Sequence, residues 1–333
     1  MAYSIGGLIE ASDYNTFVGN TTAGLNRVWS DGAGDAGYGQ TNIGTVSVAA
    51  TVTATNWATL VTNLAAVGAH NGTTLTSRTA PVTGNLIAIL ANVSADITSV
   101  TTNRGNAVAS GTTIGTFTGA VSKTTATGSG QAAWTITFAQ TVTFASAAAA
   151  RYFFNAGGIV RLLYGKSSTG TDADPDWNTL AGQPGSINFT GRVASTTNTI
   201  AGQAYTGTTR LSGSGGTQTT LATTTGFYNL SAGGAAVTIF QLNNASSPYT
   251  PDFIRTQVAL DAGGTVLTFT TVWSDNGTSI AGATANISGG TATASPATSI
   301  TGTAPTTLLN LIPPSTTNLT ASWGTPTINS TVT

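Results

Sequence analysis

The sequence predicts a mainly β protein with an α-helical N-terminal module, and we expect its β part to form antiparallel β-sandwich-like domains. Between residues 134 and 144, large apolar side chains alternate with threonine and alanine, which is the pattern of a strand with one buried face. The apolar blocks 151–154 and 159–164 flank Asn155-Ala156-Gly157-Gly158, a connection typical of a β-hairpin because glycine readily adopts positive φ. In the first hundred residues, by contrast, apolar side chains recur at steps of three and four, which is the helical period.

Charge is scarce in this chain, and its scarcity excludes several classes of protein. Charged residues make up 6% of the 333 residues and the net charge is −1, whereas ordinary soluble domains carry roughly 25% charged residues. The ten Lys and Arg residues are scattered, so they cannot form the basic face on which nucleic-acid affinity depends, and we expect no nucleic-acid partner. With 40% hydrophobic residues, the chain also falls outside the disordered class.

The sequence also bears on the compartment in which the protein works. It has no cysteine, so neither disulfides nor thiol chemistry are available. Its start lacks the pattern of a signal peptide, and no stretch approaches the roughly 18 apolar residues of a membrane helix. We therefore expect a protein that is made in the cytoplasm and is not inserted into a membrane.

The N-terminal module is predicted to begin with two amphipathic helices. Residues 12–29 carry an apolar stripe behind Ser12 and Asp13, which supply an N-cap and a first-turn acid. Residues 56–67 carry a second stripe, which we expect to end at Gly68. Between them, alternation over residues 46–50 indicates a short strand.

A third helix is predicted over residues 83–104, where apolar residues follow alternating steps of four and three. This is the heptad spacing of a coiled coil, and such a seam would join copies of the chain, with a trimer favoured. The alternative is a helix that packs the same stripe on the first two helices. The residues of the predicted seam are Leu86, Leu90, Val93, Ile97 and Val100.

The remainder of the chain is predicted to be β. Residues 106–198 are expected to form one β-sandwich-like domain, and residues 199–333, which are still richer in Thr and Gly, a second one. In the second domain we predict strands over residues 237–242, 253–260 and 265–273, with edge strands and extended connections in the tail, which contains several prolines. Residues 1–105, as a module for assembly or attachment, complete a three-domain division.

Four segments of the chain share a pattern with known proteins. They are IEASDYNTF at 9–17, DAGYGQTNI at 35–43, FASAAAARYFFNAGGIVRLLYG at 144–165 and GFYNLSAGGAAVTIFQL at 226–242. This pattern resembles virion structural proteins of tailed bacteriophages, particularly T4-like phages of marine bacteria. The chain departs from it at Ile159 and Val160, because an acidic residue usually follows the double glycine. The resemblance implies a tail-fibre, tail or capsid appendage protein and carries no catalytic motif.

One acidic cluster is a candidate cation site. Asp172, Asp174 and Asp176 offer oxygen atoms at alternate positions, as calcium-binding loops do. Trp177 stands where an EF-hand loop needs glycine, and Gln183 where it needs glutamate. A solvated Asp-Pro turn is therefore the alternative to a weak calcium site, and no other cofactor is expected.

Catalytic chemistry is not expected. His70 is the sole histidine and follows a predicted helix end, where it would serve as a surface or capping residue. A glycosidase needs two facing carboxyl groups; Asp252, Asp261 and Asp275 are candidates, but no motif links them.

The aromatic residues form two groups. Those on alternating strands are predicted to lie in the core: Trp134, Phe138, Phe144, Phe269 and Trp273. Those in Gly-rich or Pro-rich segments either anchor loops or offer rings for stacking on sugars: Tyr38, Trp177, Tyr205, Tyr228 and Tyr249.

The sequence thus favours a non-enzymatic virion structural protein that assembles with itself and with other virion proteins. A module that binds a host-surface glycan is the first alternative, and a surface depolymerase is a more distant one.

Overall fold

The structure of the chain is a computed structural model. It describes residues 11–21, 23–30, 36–83, 92–107, 121–122, 125–127, 134–167, 173–191, 198–200, 203–205, 207–215, 217–221, 225–245, 250–275, 297–299 and 305–333. Two large antiparallel sheets dominate it, accompanied by helices. The mainly β, antiparallel part of the predicted fold class is therefore confirmed.

Six α-helices lie within the described residues. They are α1 (Ala11–Val18), α2 (Asn26–Trp29), α3 (Ala54–Asn71), α4 (Val93–Asn103), α5 (Ala147–Asn155) and α6 (Ala173–Gly182).

The first predicted helix is two helices, because glycines interrupt it. α1 ends at Val18 and α2 begins at Asn26, with Gly19 and Gly24 between them. The two glycine backbones approach so closely that a Cβ atom on Gly24 would lie 2.1 Å from the carbonyl oxygen of Gly19. Tyr14, Phe17, Val18, Leu25 and Val28 of the predicted stripe are buried and Trp29 is half-buried, but the stripe did not reveal this turn.

The second predicted helix is confirmed and is longer at both ends than predicted. α3 begins with a capping box, in which the Thr53 side chain and the Asn56 side chain each accept a hydrogen bond from the other residue's backbone N–H. It continues through Gly68 and ends at Gly72, which adopts the left-handed conformation with φ of 70°. The strand predicted over residues 46–50 was wrong, because this stretch forms no strand. Instead, the Asn15 side chain hydrogen-bonds to both the backbone N–H and the carbonyl oxygen of Val46.

The predicted hairpin over residues 151–164 was wrong in its first half. Residues 147–155 form the helix α5, and a strand begins only at Ile159. Four consecutive alanines are strong helix formers, and the Ser146 hydroxyl caps the helix by accepting the N–H of Ala149 at 3.0 Å. Phe153 and Phe154 therefore lie on a helix, and their buried rings face the core.

The strands, in chain order, are β1 (Val121–Ser122), β2 (Thr125–Thr127), β3 (Trp134–Thr143), β4 (Ile159–Gly165), β5 (Ser186–Thr190), β6 (Asn198–Ile200), β7 (Gln203–Tyr205), β8 (Thr208–Leu211), β9 (Thr217–Leu221), β10 (Val237–Asn243), β11 (Phe253–Leu260), β12 (Val266–Asp275), β13 (Ala297–Ser299), β14 (Thr306–Ile312) and β15 (Thr327–Val332). The strands predicted over residues 237–242, 253–260 and 265–273 correspond to β10, β11 and β12.

Both large sheets combine strands that are distant in sequence. A five-stranded sheet has the order β1-β14-β4-β5-β8. An eight-stranded sheet has the order β13-β2-β3-β12-β11-β10-β9, and β15 also pairs with β3. Each sheet thus contains strands from both predicted domains, 106–198 and 199–333, and pairs them with each other.

Side chains from the two large sheets meet in the interior. The ring of Tyr164 on β4 stacks on Phe240 of β10, with 5.9 Å between centroids, and Phe189 of β5 meets Phe269 of β12 at 5.4 Å. The Tyr164 hydroxyl shares a hydrogen bond of 2.6 Å with Thr256 on β11. One cluster of buried residues includes these side chains and extends to Trp57 on α3, so helices and sheets share a core.

Candidate functional site

Three of the four segments that carry the phage resemblance meet at Asn155, the last residue of α5. The side-chain amide of Asn155 donates from Nδ2 to the carbonyl oxygen of Gly37 at 2.8 Å, and its Oδ1 accepts from the hydroxyl of Tyr228 at 2.7 Å. Gly37 lies in DAGYGQTNI and Tyr228 in GFYNLSAGGAAVTIFQL. These motifs therefore form an internal junction, which we call the Asn155 junction.

Gln40 extends this junction to the C-terminal part of the chain. Its Oε1 accepts from the backbone N–H of Thr320 at 2.9 Å, and its Nε2 donates to the carbonyl oxygen of Thr320 at 3.0 Å. Ser322 donates from its hydroxyl to the carbonyl oxygen of Tyr38 at 2.7 Å. The preceding glycine, Gly39, has φ of 74° and lies against the ring of Tyr152, so a side chain has no room there.

The acidic cluster is not a loop in the part that the structure describes. Residues 173–182 form α6, whereas Asp172 and the side chain of Asp174 lie outside the described residues. Positions 174 and 176 are two apart on a helix, where side chains diverge instead of converging on one cation. Among the described residues, no group of three His, Cys, Asp or Glu side chains could hold a metal ion. A calcium site at Asp172, Asp174 and Asp176 stays a prediction.

Three residues of the predicted oligomer seam are already used inside the chain. Val93, Ile97 and Val100 lie on α4, are fully buried, and belong to the core that Trp57 and Leu60 of α3 share. They are therefore not accessible to a second copy in this conformation. The other two seam residues, Leu86 and Leu90, lie outside the described residues.

His70 is buried in the last turn of α3, so the prediction of a surface residue was wrong. Its Nε2 lies 2.9 Å from the carbonyl oxygen of Ala156, and its ring meets Tyr38 edge-on at 5.2 Å. Burial lowers the pKa of His70 below its usual value, and the hydrogen bond to Ala156 opposes this shift in part. The histidine thus joins the last turn of α3 to the end of α5.

The three candidate carboxylates occupy two places. Phe253 pairs with Ser274, so Asp252 and Asp275 lie beside each other at one end of β11 and β12, and both are buried. Asp261 lies in the turn at the other end, where it accepts the backbone N–H groups of Thr265 and Val266. These bonds, led by the one from Val266, lower the pKa of Asp261. A glycosidase needs two carboxyl groups that flank a bound sugar. Asp252 is only 2% exposed, which leaves little room beside it for a sugar.

The structure describes most of the aromatic residues that were assigned to the core or to loops. Phe138, Phe144, Phe269 and Trp273 are buried as predicted, whereas Trp134, at the start of β3, is exposed. Of the loop aromatics, Tyr38 and Trp177 are buried anchors, and Trp177 stacks on Trp273 at 5.9 Å. Tyr228 is partly buried in the Asn155 junction, Tyr249 lies outside the described residues, and nothing is described for the side chain of Tyr205.

Sequence reasoning missed a strand edge that pairs with no further strand among the described residues. The reciprocal backbone hydrogen bonds between Thr137 and Thr333 fix the register in which β15 pairs with β3. Since antiparallel partners alternate, the backbone N–H and C=O groups of Ile328 and Val332 point away from β3. Within the described residues β15 has no second strand partner, and its six residues include neither a charge nor a proline. The signal in the sequence was the alternation in TINSTV, which is too short to be distinctive.

No helix in the described part of the chain is long and apolar enough to cross a membrane. Comparison of the chain with known protein families, with curated proteins and with solved structures finds no match in any of the three.

Proposed function

We propose that this chain is a non-enzymatic structural protein of a bacteriophage virion, a homo-oligomeric component of a tail fibre, tail or capsid appendage. Its architecture would be a β-sandwich-like core of two facing sheets, with residues 1–105 serving attachment to other virion proteins. The resemblance of four segments to phage structural proteins supports the location, and the contacts of the Asn155 junction give three of those segments an architectural role.

The observation that carries the assembly part of the proposal is the open edge of β15. An exposed strand edge can pair with a strand of another chain, and monomeric proteins usually prevent this with charged residues, proline or β-bulges. β15 has none of these devices, and its pairing with β3 continues over six residues without a shift of register. The side chains of Thr327 and Thr331 are exposed on this strand. Pairing of β15 with another copy would satisfy the backbone groups of Ile328 and Val332.

We therefore propose β15, and not the predicted seam, as the contact between copies, because Val93, Ile97 and Val100 already pack in the core. A neutral edge also suits a particle exposed to varying salt. Charge-mediated contacts are screened over about 8 Å at physiological ionic strength, whereas backbone pairing between strands is not.

The test is the solution mass of the purified chain, measured by light scattering after gel filtration over a dilution series. We expect a stable oligomer whose mass does not depend on salt. The double substitution Thr327→Lys with Thr331→Lys should reduce it to the mass of a monomer, because like charges would face each other across the paired edges.

The matched control is Thr55→Lys with Thr59→Lys, two exposed threonines on α3, which should leave the oligomer intact. A wild-type chain that is monomeric at every concentration would refute self-assembly. An oligomer that survives the β15 substitutions would refute this edge as the contact.

A second candidate function, binding of a host-surface glycan, is favoured by a different feature, an open pocket beside Trp29.

A further inference from the structure

A pocket lies between α2, α3 and the C-terminal loop, at the surface of the helical module. Trp29, Thr41 and Ala66 line one side, and residues 316–320 line the other. Its cavity volume is about 460 Å³, which falls within the range of roughly 300–1,000 Å³ that is usual for ligand pockets. We call it the Trp29 pocket.

The lining of this pocket is polar and neutral. None of its described lining residues carries a charge, and six of them have amide or hydroxyl side chains: Gln40, Thr41, Thr316, Thr317, Asn318 and Thr320. Gln40 and Thr320 bond to each other, which leaves Thr41, Thr316, Thr317 and Asn318 for a ligand. Hydroxyls both donate and accept hydrogen bonds, and an amide side chain offers two donors and an acceptor. Such a lining matches a ligand that is itself covered with hydroxyl groups, and it gives no attraction to a charged one.

Trp29 supplies the apolar surface that such a site needs. Its indole packs against the core on one side and remains partly exposed, and its Nε1 donates to the carbonyl oxygen of Thr41 at 2.8 Å. Four other tryptophans are buried: Trp57, Trp177, Trp273 and Trp323. The hydrogen bond from Nε1 to Thr41 holds the Trp29 ring in one orientation beside hydroxyl groups, where the C–H face of a sugar ring can stack on it.

The opposite wall is held in place before any ligand arrives. Gln40 binds both backbone groups of Thr320 and also accepts from its hydroxyl at 2.7 Å. Ser315 accepts the backbone N–H of Thr317 at 3.3 Å. A pocket whose walls are already fixed loses little conformational entropy on binding.

We propose that the Trp29 pocket binds a neutral saccharide, with the indole of Trp29 under a sugar ring and the polar groups of residues 316–320 bonded to its hydroxyls. The site lies within one chain, so it does not depend on the proposed assembly through β15.

The experiment uses the full chain labelled with 5-fluorotryptophan, whose six tryptophans give separate fluorine NMR signals. The probes are maltotriose, cellotriose and β-1,4-galactotriose at millimolar concentration. At least one of them should shift the Trp29 signal, which Trp29→Phe identifies, and leave the signal of the exposed Trp134 in place. Trp29→Ala should weaken binding by roughly tenfold or more, the usual scale for loss of an aromatic anchor.

A second variant avoids any effect of Trp29 on folding. Thr316→Ala with Asn318→Ala removes polar groups at the surface of the wall, and it should weaken binding several-fold while the melting temperature stays unchanged. The matched control is Thr59→Ala in a depression of about 480 Å³ along α3, which is lined by Ala54, Pro81 and Val82 among others and contains no aromatic residue.

The proposal is overturned if none of the three saccharides shifts the Trp29 signal, if Trp134 shifts equally, or if Thr316→Ala with Asn318→Ala binds as the wild type does. The mass of each sample, measured in parallel, separates this result from the test of assembly.

Discussion

At the scale of single residues, Asn155 has the most consequences, because one side chain joins three distant segments. We predict that Asn155→Ala lowers the free energy of unfolding by about 1–3 kcal/mol, since it removes the hydrogen bonds of this side chain to the Gly37 carbonyl and to the Tyr228 hydroxyl. Denaturant unfolding measures the change, and Asn63→Ala on the surface of α3 is the control, expected to stay within roughly 0.5 kcal/mol of wild type.

Combining Asn155→Ala with Tyr228→Phe completes a double-mutant cycle. Its coupling energy should be about 0.5–3 kcal/mol, the range for side chains in direct contact. Strict additivity would mean that the 2.7 Å hydrogen bond between the two side chains contributes nothing.

His70 should make stability depend on pH. Its folded-state pKa is lowered by burial, so below the unfolded-state value of about 6.5 the unfolded chain binds more protons than the folded one. The contribution of His70 to stability is therefore complete above this pH and falls as the pH drops from about 6.5 towards the folded-state pKa, with a slope of at most about 1.4 kcal/mol per pH unit.

His70→Gln should flatten this part of the curve, because His70 is the only histidine and carboxylates titrate near pH 4. A variant that retains the wild-type slope between pH 6.5 and 5 would show that another group causes it.

At the scale of elements, the sequence predicted type well where periodicity is long and unbroken. α3 and the strands β10 to β12 follow from stripes and alternation alone. The errors are local: residues 151–154 are apolar and suit a strand, but the alanines before them and the cap at Ser146 place them on a helix. Short apolar runs do not distinguish these two structures, since their burial is the same in both.

The break between α1 and α2 is the element-scale feature that we expect to be most sensitive to substitution. Gly24→Ala should destabilise the protein by about 1–3 kcal/mol, because its methyl group would meet the backbone of Gly19, which cannot move as a side chain would. Thermal unfolding provides the measurement. Gly44→Ala, where no atom lies within 4 Å, should be neutral or slightly stabilising, and equal effects of the two substitutions would contradict this explanation.

At the scale of the whole molecule, the pairing of strands was beyond reach of the sequence. Alternation predicts that a strand has a buried face, yet nothing in β3 indicates that its neighbours are β12 and β15. The Trp29 pocket could not be predicted from the sequence for the same reason. Residues 29 and 320 both line it, and only the folded chain brings them together.

Because both sheets and the helices share one core, we predict a single unfolding transition. Calorimetry should give a calorimetric enthalpy equal to the van't Hoff enthalpy, as for a cooperative unit. Residues 106–198 expressed alone should not fold, because β3 would lack β12 and β4 would lack β14. Two or more resolved transitions would instead support three independent domains.

The pairing of β3 with β15 also sets how long β3 stays incompletely paired during synthesis. Ala139 and Thr331 are 192 residues apart, and at roughly 5–20 residues per second a ribosome needs about 10–40 s to make that distance. Throughout this interval the backbone N–H and C=O groups on one flank of β3 lack their β15 partner, while a threonine-rich nascent chain lies beside them. Synthesis speed and chaperone supply should therefore govern the yield of native protein more than its final stability does.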